Sequence, residues 1–116
     1  MQADELLALV TGILDDRKAE NIVTIDVIGK TSFTDYMVIA TGTSERHIKA
    51  LSDYVTIAIK EQGSLPLGTE GGPGAEWVLV DLGDVILHLM TAQSREFYQL
   101  EKLWTVDNIV AEQEEA

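Results

Sequence analysis

Tyr36-Met37-Val38-Ile39-Ala40, then Thr41-Gly42-Thr43-Ser44, then Glu45-Arg46-His47-Ile48, is the stretch that decides the fold. Its first five residues are apolar enough for a strand lying centrally in a sheet. The Thr-Gly-Thr-Ser run ends that strand, and Ser44 is placed to cap a helix whose first turn carries Glu45. Apolar residues then return at helical spacing up to Glu61: Ile48, Leu51, Val55, Ala58 and Ile59, flanked by Ala50, Tyr54 and Ile57. A stripe this wide predicts firm packing of the helix on the sheet.

On the N-terminal side, Leu6, Leu7, Val10, Ile13, Leu14 and Arg17 predict an amphipathic helix over Asp4 to Lys18, with Asp4 and Glu5 at its positive end. Ile22 to Ile28 alternates like a strand, and Gly29-Lys30-Thr31-Ser32 reads as a turn. On the C-terminal side, residues 63–75 hold five of the nine glycines and both prolines, the signature of a loop. Pro66 confines any strand at Leu65–Thr69 to a sheet edge. Trp77–Leu82 and Asp84–Met90 read as strands joined by a tight hairpin at Gly83-Asp84. A last helix, Ser94 to Trp104, has Ser94 as its N-cap and Phe97, Leu100, Leu103 and Trp104 as its apolar face. The order α-β-β-α-(β)-β-β-α describes an α+β fold, a single domain with a mixed β-sheet flanked by helices. Residues 1–106 form the domain and 107–116 a frayed acidic tail.

A chain of 116 residues accommodates one domain and a core that needs no staples. It has no cysteine, which excludes disulfides, thiolate metal sites and a cysteine nucleophile, and which suits a reducing compartment such as the cytoplasm. The net charge is −12, from 20 acids and 8 bases. Four acids (Asp107, Glu112, Glu114, Glu115) lie in the last ten residues, so the body keeps 16 acids against 8 bases, about −8. Nucleic-acid binding depends on Lys and Arg neutralising phosphates, so this balance disfavours direct RNA contact. It equally disfavours an anionic membrane surface and suits a basic protein partner. The acidic start, Met1-Gln2-Ala3-Asp4-Glu5, is unlike a secretory or transit peptide. The apolar stretch around Val85–Met90 is far too short to span a bilayer.

Gly42-Thr43-Ser44 is similar to the glycine-serine entry of nucleotidyltransferases, where helix amides hold phosphate and strand carboxylates hold magnesium. The segment after the helix, Leu65-Pro66-Leu67-Gly68-Thr69-Glu70, lacks the Asp-x-Asp pair that such chemistry needs. The glycine-rich loop at 68–74 lacks the Lys-Ser/Thr of a Walker A loop. His47 and His88 are the only histidines and show no ligand spacing, so no metal, cofactor or catalytic residue is expected. Trp77 opens a strand directly after a flexible loop, which favours a rim position. With Asp81 on the same strand face it makes an aromatic anchor beside a carboxylate. Asp84 at the turn and Glu70 in the loop extend an acidic rim. Trp104, on a helix with Leu100 and Leu103, reads equally well as core or as anchor.

Three stretches together carry a family resemblance. They are Asp35–Ser44 with the helix start Glu45-Arg46-His47; Glu70-Gly71 with Trp77–Asp84 and Leu87-His88-Leu89-Met90; and Arg95–Trp104. In order and spacing the chain resembles the ribosomal silencing factors, the Iojap family, over about residues 6–104. It departs from the usual pattern at Leu87 and Met90, and at Gln99, where an aspartate is usual. The resemblance implies a non-catalytic domain similar to the nucleotidyltransferase-like fold. It implies binding to a basic protein of the large ribosomal subunit (protein fourteen of that subunit) on the face that meets the small subunit. Subunit joining is then blocked and translation falls under starvation. The residues expected to meet the partner are Glu70, Trp77, Asp81, Asp84, Tyr98, Glu101 and Trp104, and an edge strand next to an apolar helix could support a symmetric homodimer of the free protein. The rival reading is a nucleotidyltransferase-like, nucleotide-binding enzyme.

Overall fold

The computed structural model describes residues 1–72 and 74–98. Its elements are α1 (Ala3–Asp16), β1 (Glu20–Asp26), β2 (Tyr36–Gly42), α2 (Glu45–Glu61), β3 (Gly68–Glu70), β4 (Trp77–Asp81), β5 (Val85–Thr91) and α3 (Ala92–Tyr98). The strands form one sheet in the order β1-β2-β5-β4-β3. Only β2 and β5 run parallel; the other neighbours are antiparallel. Parallel strands need a crossover, and here α2 followed by the β3–β4 strands supplies it. The mixed α+β sheet expected from the sequence is the one found.

β2 and β5 lie at the centre, as their unbroken apolar runs require. Met37 to Ala40 and Val85 to Met90 are all buried, His88 included. One face of the sheet, carrying Val38, Ala40, Val78, Val80, Val85, Leu87 and Leu89, packs against Leu6, Val10 and Leu14 of α1 and Ile48, Leu51, Val55 and Ile59 of α2. The other face carries a second cluster of Ile25, Met37, Ile39 and Met90, joined by Val27, Val23 and Trp77.

The joint between β2 and α2 is tightly built. The Ser44 hydroxyl accepts the His47 N–H at 3.0 Å, the cap expected from the sequence. A Cβ on Gly42 would lie 2.7 Å from Ile48 Cγ1 and 3.2 Å from Ile48 N, so helix and strand meet only over a glycine. The β4–β5 hairpin also follows expectation. Leu82 N–H donates to the Val85 carbonyl at 2.9 Å across Gly83-Asp84. Gly83 has φ +88°, the left-handed value a two-residue hairpin requires at its first position.

β1, β3 and α3 differ from the sequence reading in ways that bear on the fold, and the other elements differ by at most two residues at either end. β1 starts at Glu20 and ends at Asp26, with a register irregularity between Glu20 and Val23 where Asn21 adopts φ +49°. β3 falls at Gly68–Glu70 because Leu67 N–H is already held by the Asp81 carbonyl at 2.8 Å, which fixes where pairing begins. α3 starts at Ala92, and Thr91 rather than Ser94 is its cap: Thr91 Oγ1 accepts the Ser94 N–H at 3.3 Å. α3 buries Ser94 and Arg95 while Phe97 is 79% exposed, so Phe97 does not lie on a buried apolar face. Leu100, Leu103 and Trp104 of that expected face, and the tail from 107, lie outside the described residues.

Candidate functional site

Strand alternation decides which side chains meet. On β4, Trp77, Leu79 and Asp81 point to one face and Val78 and Val80 to the helix-covered face. Glu70 pairs with Leu79, and Gly68 with Asp81, so Glu70 joins Trp77 and Asp81 on the same face. Of the expected partner residues, the sheet therefore brings together Glu70, Trp77 and Asp81. Asp84 stands at the hairpin tip, exposed, and its carbonyl accepts the N–H groups of Asp35 and Tyr36 at 3.1 and 3.0 Å. Tyr98 is the last described residue of α3; its side chain, Glu101 and Trp104 lie outside the described residues.

Trp77 is half-buried, packed on the second core cluster near the sheet's rim. Its indole N–H donates to His88 Nδ1 at 2.9 Å, with ring centroids 5.7 Å apart and tilted by 45°. In register Trp77 faces Met90 across the hairpin, so His88 is its diagonal neighbour, within reach of a large ring. Nδ1 can accept only if the imidazole is neutral with its proton on Nε2. Burial favours the neutral ring, lowering the pKa of His88 from 6.5 to about 4, and the Trp77 N–H selects the tautomer. The indole is thus held at one end, which limits the rotamer entropy it loses on meeting a partner.

Asp81 has a structural task besides its charge. Its Oδ1 accepts the Gly83 N–H at 2.9 Å, fixing the hairpin that carries Asp84. The charge along this stretch of chain is of one sign, His88 being neutral. From Glu61 to Ser94, the run that supplies β3, β4 and β5, the acids are Glu61, Glu70, Glu76, Asp81 and Asp84, with no Lys or Arg.

The other histidine also has a structural place. His47 Nδ1 accepts the Thr43 N–H at 2.9 Å, so Nε2 holds the proton and donates to the Arg17 carbonyl at 2.9 Å. His47 thereby ties the start of α2 to the end of α1. No group of three His, Asp or Glu that could hold a metal occurs among the described residues. No helix among them is long and apolar enough to cross a membrane.

Arg95 was not singled out in the sequence, yet it organises the far end of the sheet. It is buried, and its Nη1 donates to the Asn21 carbonyl and to Thr41 Oγ1, the latter at 3.0 Å. It thus pins α3 to the irregularity of β1 and to β2. An arginine in a terminal helix ordinarily reads as solvated, and the one local signal was Asn21, a residue that tolerates the left-handed backbone.

Comparison with known proteins agrees with this arrangement. The model of a family described as "Ribosomal silencing factor during starvation" matches residues 1–116. Ribosomal silencing factor RsfS of Haemophilus influenzae is 46% identical over 99 residues, covering 85% of this chain and 97% of that protein. A mouse protein, "Mitochondrial assembly of ribosomal large subunit protein 1", is 36% identical over 101 residues, covering 84% of this chain and 44% of its own length. A crystal structure of a Chromobacterium violaceum protein superposes with a TM-score of 0.86 at 40% identity, covering 90% of this chain and 87% of that one. With the whole chain matched and the same fold found at such identity, this chain belongs to the ribosomal silencing factor family.

Proposed function

We propose that this protein is a non-enzymatic translational repressor of the cytoplasm. It binds the large ribosomal subunit through a basic ribosomal protein, protein fourteen of that subunit, and blocks joining of the small subunit by occupying the shared face. The observation that carries the reading is the one-sided chemistry of the β3–β5 half of the sheet. Glu70, Trp77 and Asp81 share a face, Asp84 stands at its tip, and no Lys or Arg lies between Glu61 and Ser94. A held aromatic beside carboxylates suits a basic protein surface, since Trp and Arg dominate interface hot spots. The names of the relatives, a silencing factor and a large-subunit assembly protein, support the ribosome as the target. Two bodies cannot occupy one face, so repression follows from mass action without catalysis or a conformational relay.

The test is co-sedimentation of tagged protein with purified large subunits over a salt series. Binding is expected at low salt and to weaken as salt rises, because charges at a rim are screened over about 8–10 Å at physiological ionic strength. Absence from the large-subunit fraction at low salt overturns the reading. Magnesium-dependent nucleotide turnover lost on Ser44→Ala would favour the enzymatic rival instead.

A further inference from the structure

β3 ends the sheet. Among the described residues it pairs only with β4, and all three of its residues are exposed. Ahead of it stand two leucines that are among the most exposed apolar side chains in the described structure, Leu65 at 70% and Leu67 at 74%. Leu67 is nonetheless held in place. Its N–H is bound by the Asp81 carbonyl, and its Cδ1 lies against the β4–β5 turn, 3.7 Å from where a Gly83 Cβ would be. An open strand edge beside fixed, exposed leucines is a ready template for strand pairing. Glu70 is the only charge within β3 itself.

We propose that this edge receives an extended, basic strand of the protein partner, which adds a sixth strand to the sheet and covers Leu65 and Leu67. The inference rests on the reading above and specifies how the partner is held: main-chain hydrogen bonds along β3, leucine contacts beside it, and acids around it. Such strand addition draws affinity from the backbone and specificity from alternate side chains. Charge decides the occupant. Asp81 pairs with Gly68 at the start of β3, Glu70 closes the strand, and Asp84 tips the hairpin against which Leu67 rests. A second copy of this chain would bring an equally acidic edge against this one, and like charges opposite each other across strands destabilise pairing. A basic strand meets the same edge with opposite charge.

The experiment uses the full chain and purified large subunits. The double variant Leu65→Ser, Leu67→Ser removes exposed apolar surface without changing charge, and its thermal midpoint is expected to match that of the wild type. Its affinity for the large subunit, read by co-sedimentation, is expected to fall about tenfold or more. Hydrogen–deuterium exchange of the wild type should show amides of residues 67–70 slowed on binding. Wild-type sedimentation with an unweakened double variant and unprotected β3 amides overturns the strand-addition proposal while leaving ribosome binding intact. Failure of the wild type to sediment at all overturns the underlying reading. Slowed β3 exchange in the free protein that deepens with concentration makes a second copy the occupant, and the proposal is then wrong.

Discussion

Replacing His88 by asparagine isolates the cost of protonating the buried imidazole that holds Trp77. Burial lowers the pKa of His88 from 6.5 to about 4, so folding favours the neutral imidazole and the unfolded chain takes up the proton first. The stability this contributes is therefore whole above the unfolded value of 6.5 and is lost as pH falls from there through about 4. The full span corresponds to about 3 kcal/mol, and acidification from about pH 7.5 to 5 removes about 2 kcal/mol of it. The quantity to read is a difference between two proteins, in which contributions shared by both cancel. Asparagine places an amide oxygen near the position of Nδ1, keeps an acceptor for the Trp77 N–H, and does not titrate. Urea unfolding followed by tryptophan fluorescence at several pH values gives the comparison. The wild type is expected to lose about 2 kcal/mol more than His88→Asn across that range. Parallel pH dependences for the two proteins would refute the argument that a buried neutral histidine holds Trp77.

Asp81→Asn keeps the acceptor for Gly83 N–H, so its thermal midpoint should stay near wild type while large-subunit affinity falls by about 1 kcal/mol. Asp81→Lys loses the turn bond and adds repulsion, so it should abolish binding, and Asp81→Asn calibrates how much of that loss is charge. Gly42→Ala drives a methyl to 2.7 Å from Ile48 Cγ1 and should cost about 1–3 kcal/mol in urea unfolding. Arg95→Met strands the Asn21 carbonyl and Thr41 hydroxyl and should cost about 2 kcal/mol, with faster hydrogen exchange around Asn21.

Some of this was legible because it is local. The run Met37 to Ala40 declares a central strand, Ser44 declares a cap, and Gly83-Asp84 declares a hairpin through backbone preferences carried within a few residues. The hairpin register also implies that Trp77 and His88 are diagonal neighbours, so their hydrogen bond could have been found by counting outward from the turn. Arg95 could not be found in that way. Its acceptors lie 74 and 54 residues away, and they meet it only after β1 bends and the sheet closes. The sequence reading misplaces the start of α3 because Ser94 is the better cap by residue type, with Thr91 also a cap former. The choice fell to the residue that could leave β5 and still reach back to an amide. The site was legible in its alternation, which put Trp77 and Asp81 on one face. That Asp81 also serves the hairpin, and that Glu70 joins the same face, depended on the β3–β4 register.

Sedimentation with both ribosomal subunits present tests the central claim most directly. Added before the subunits associate, the protein is expected to travel with free large subunits, to reduce the joined fraction as its concentration rises, and to be absent from ribosomes joined beforehand. If it travels with intact joined ribosomes as readily as with free large subunits, the face it occupies is not the one the small subunit needs, and the steric account is wrong.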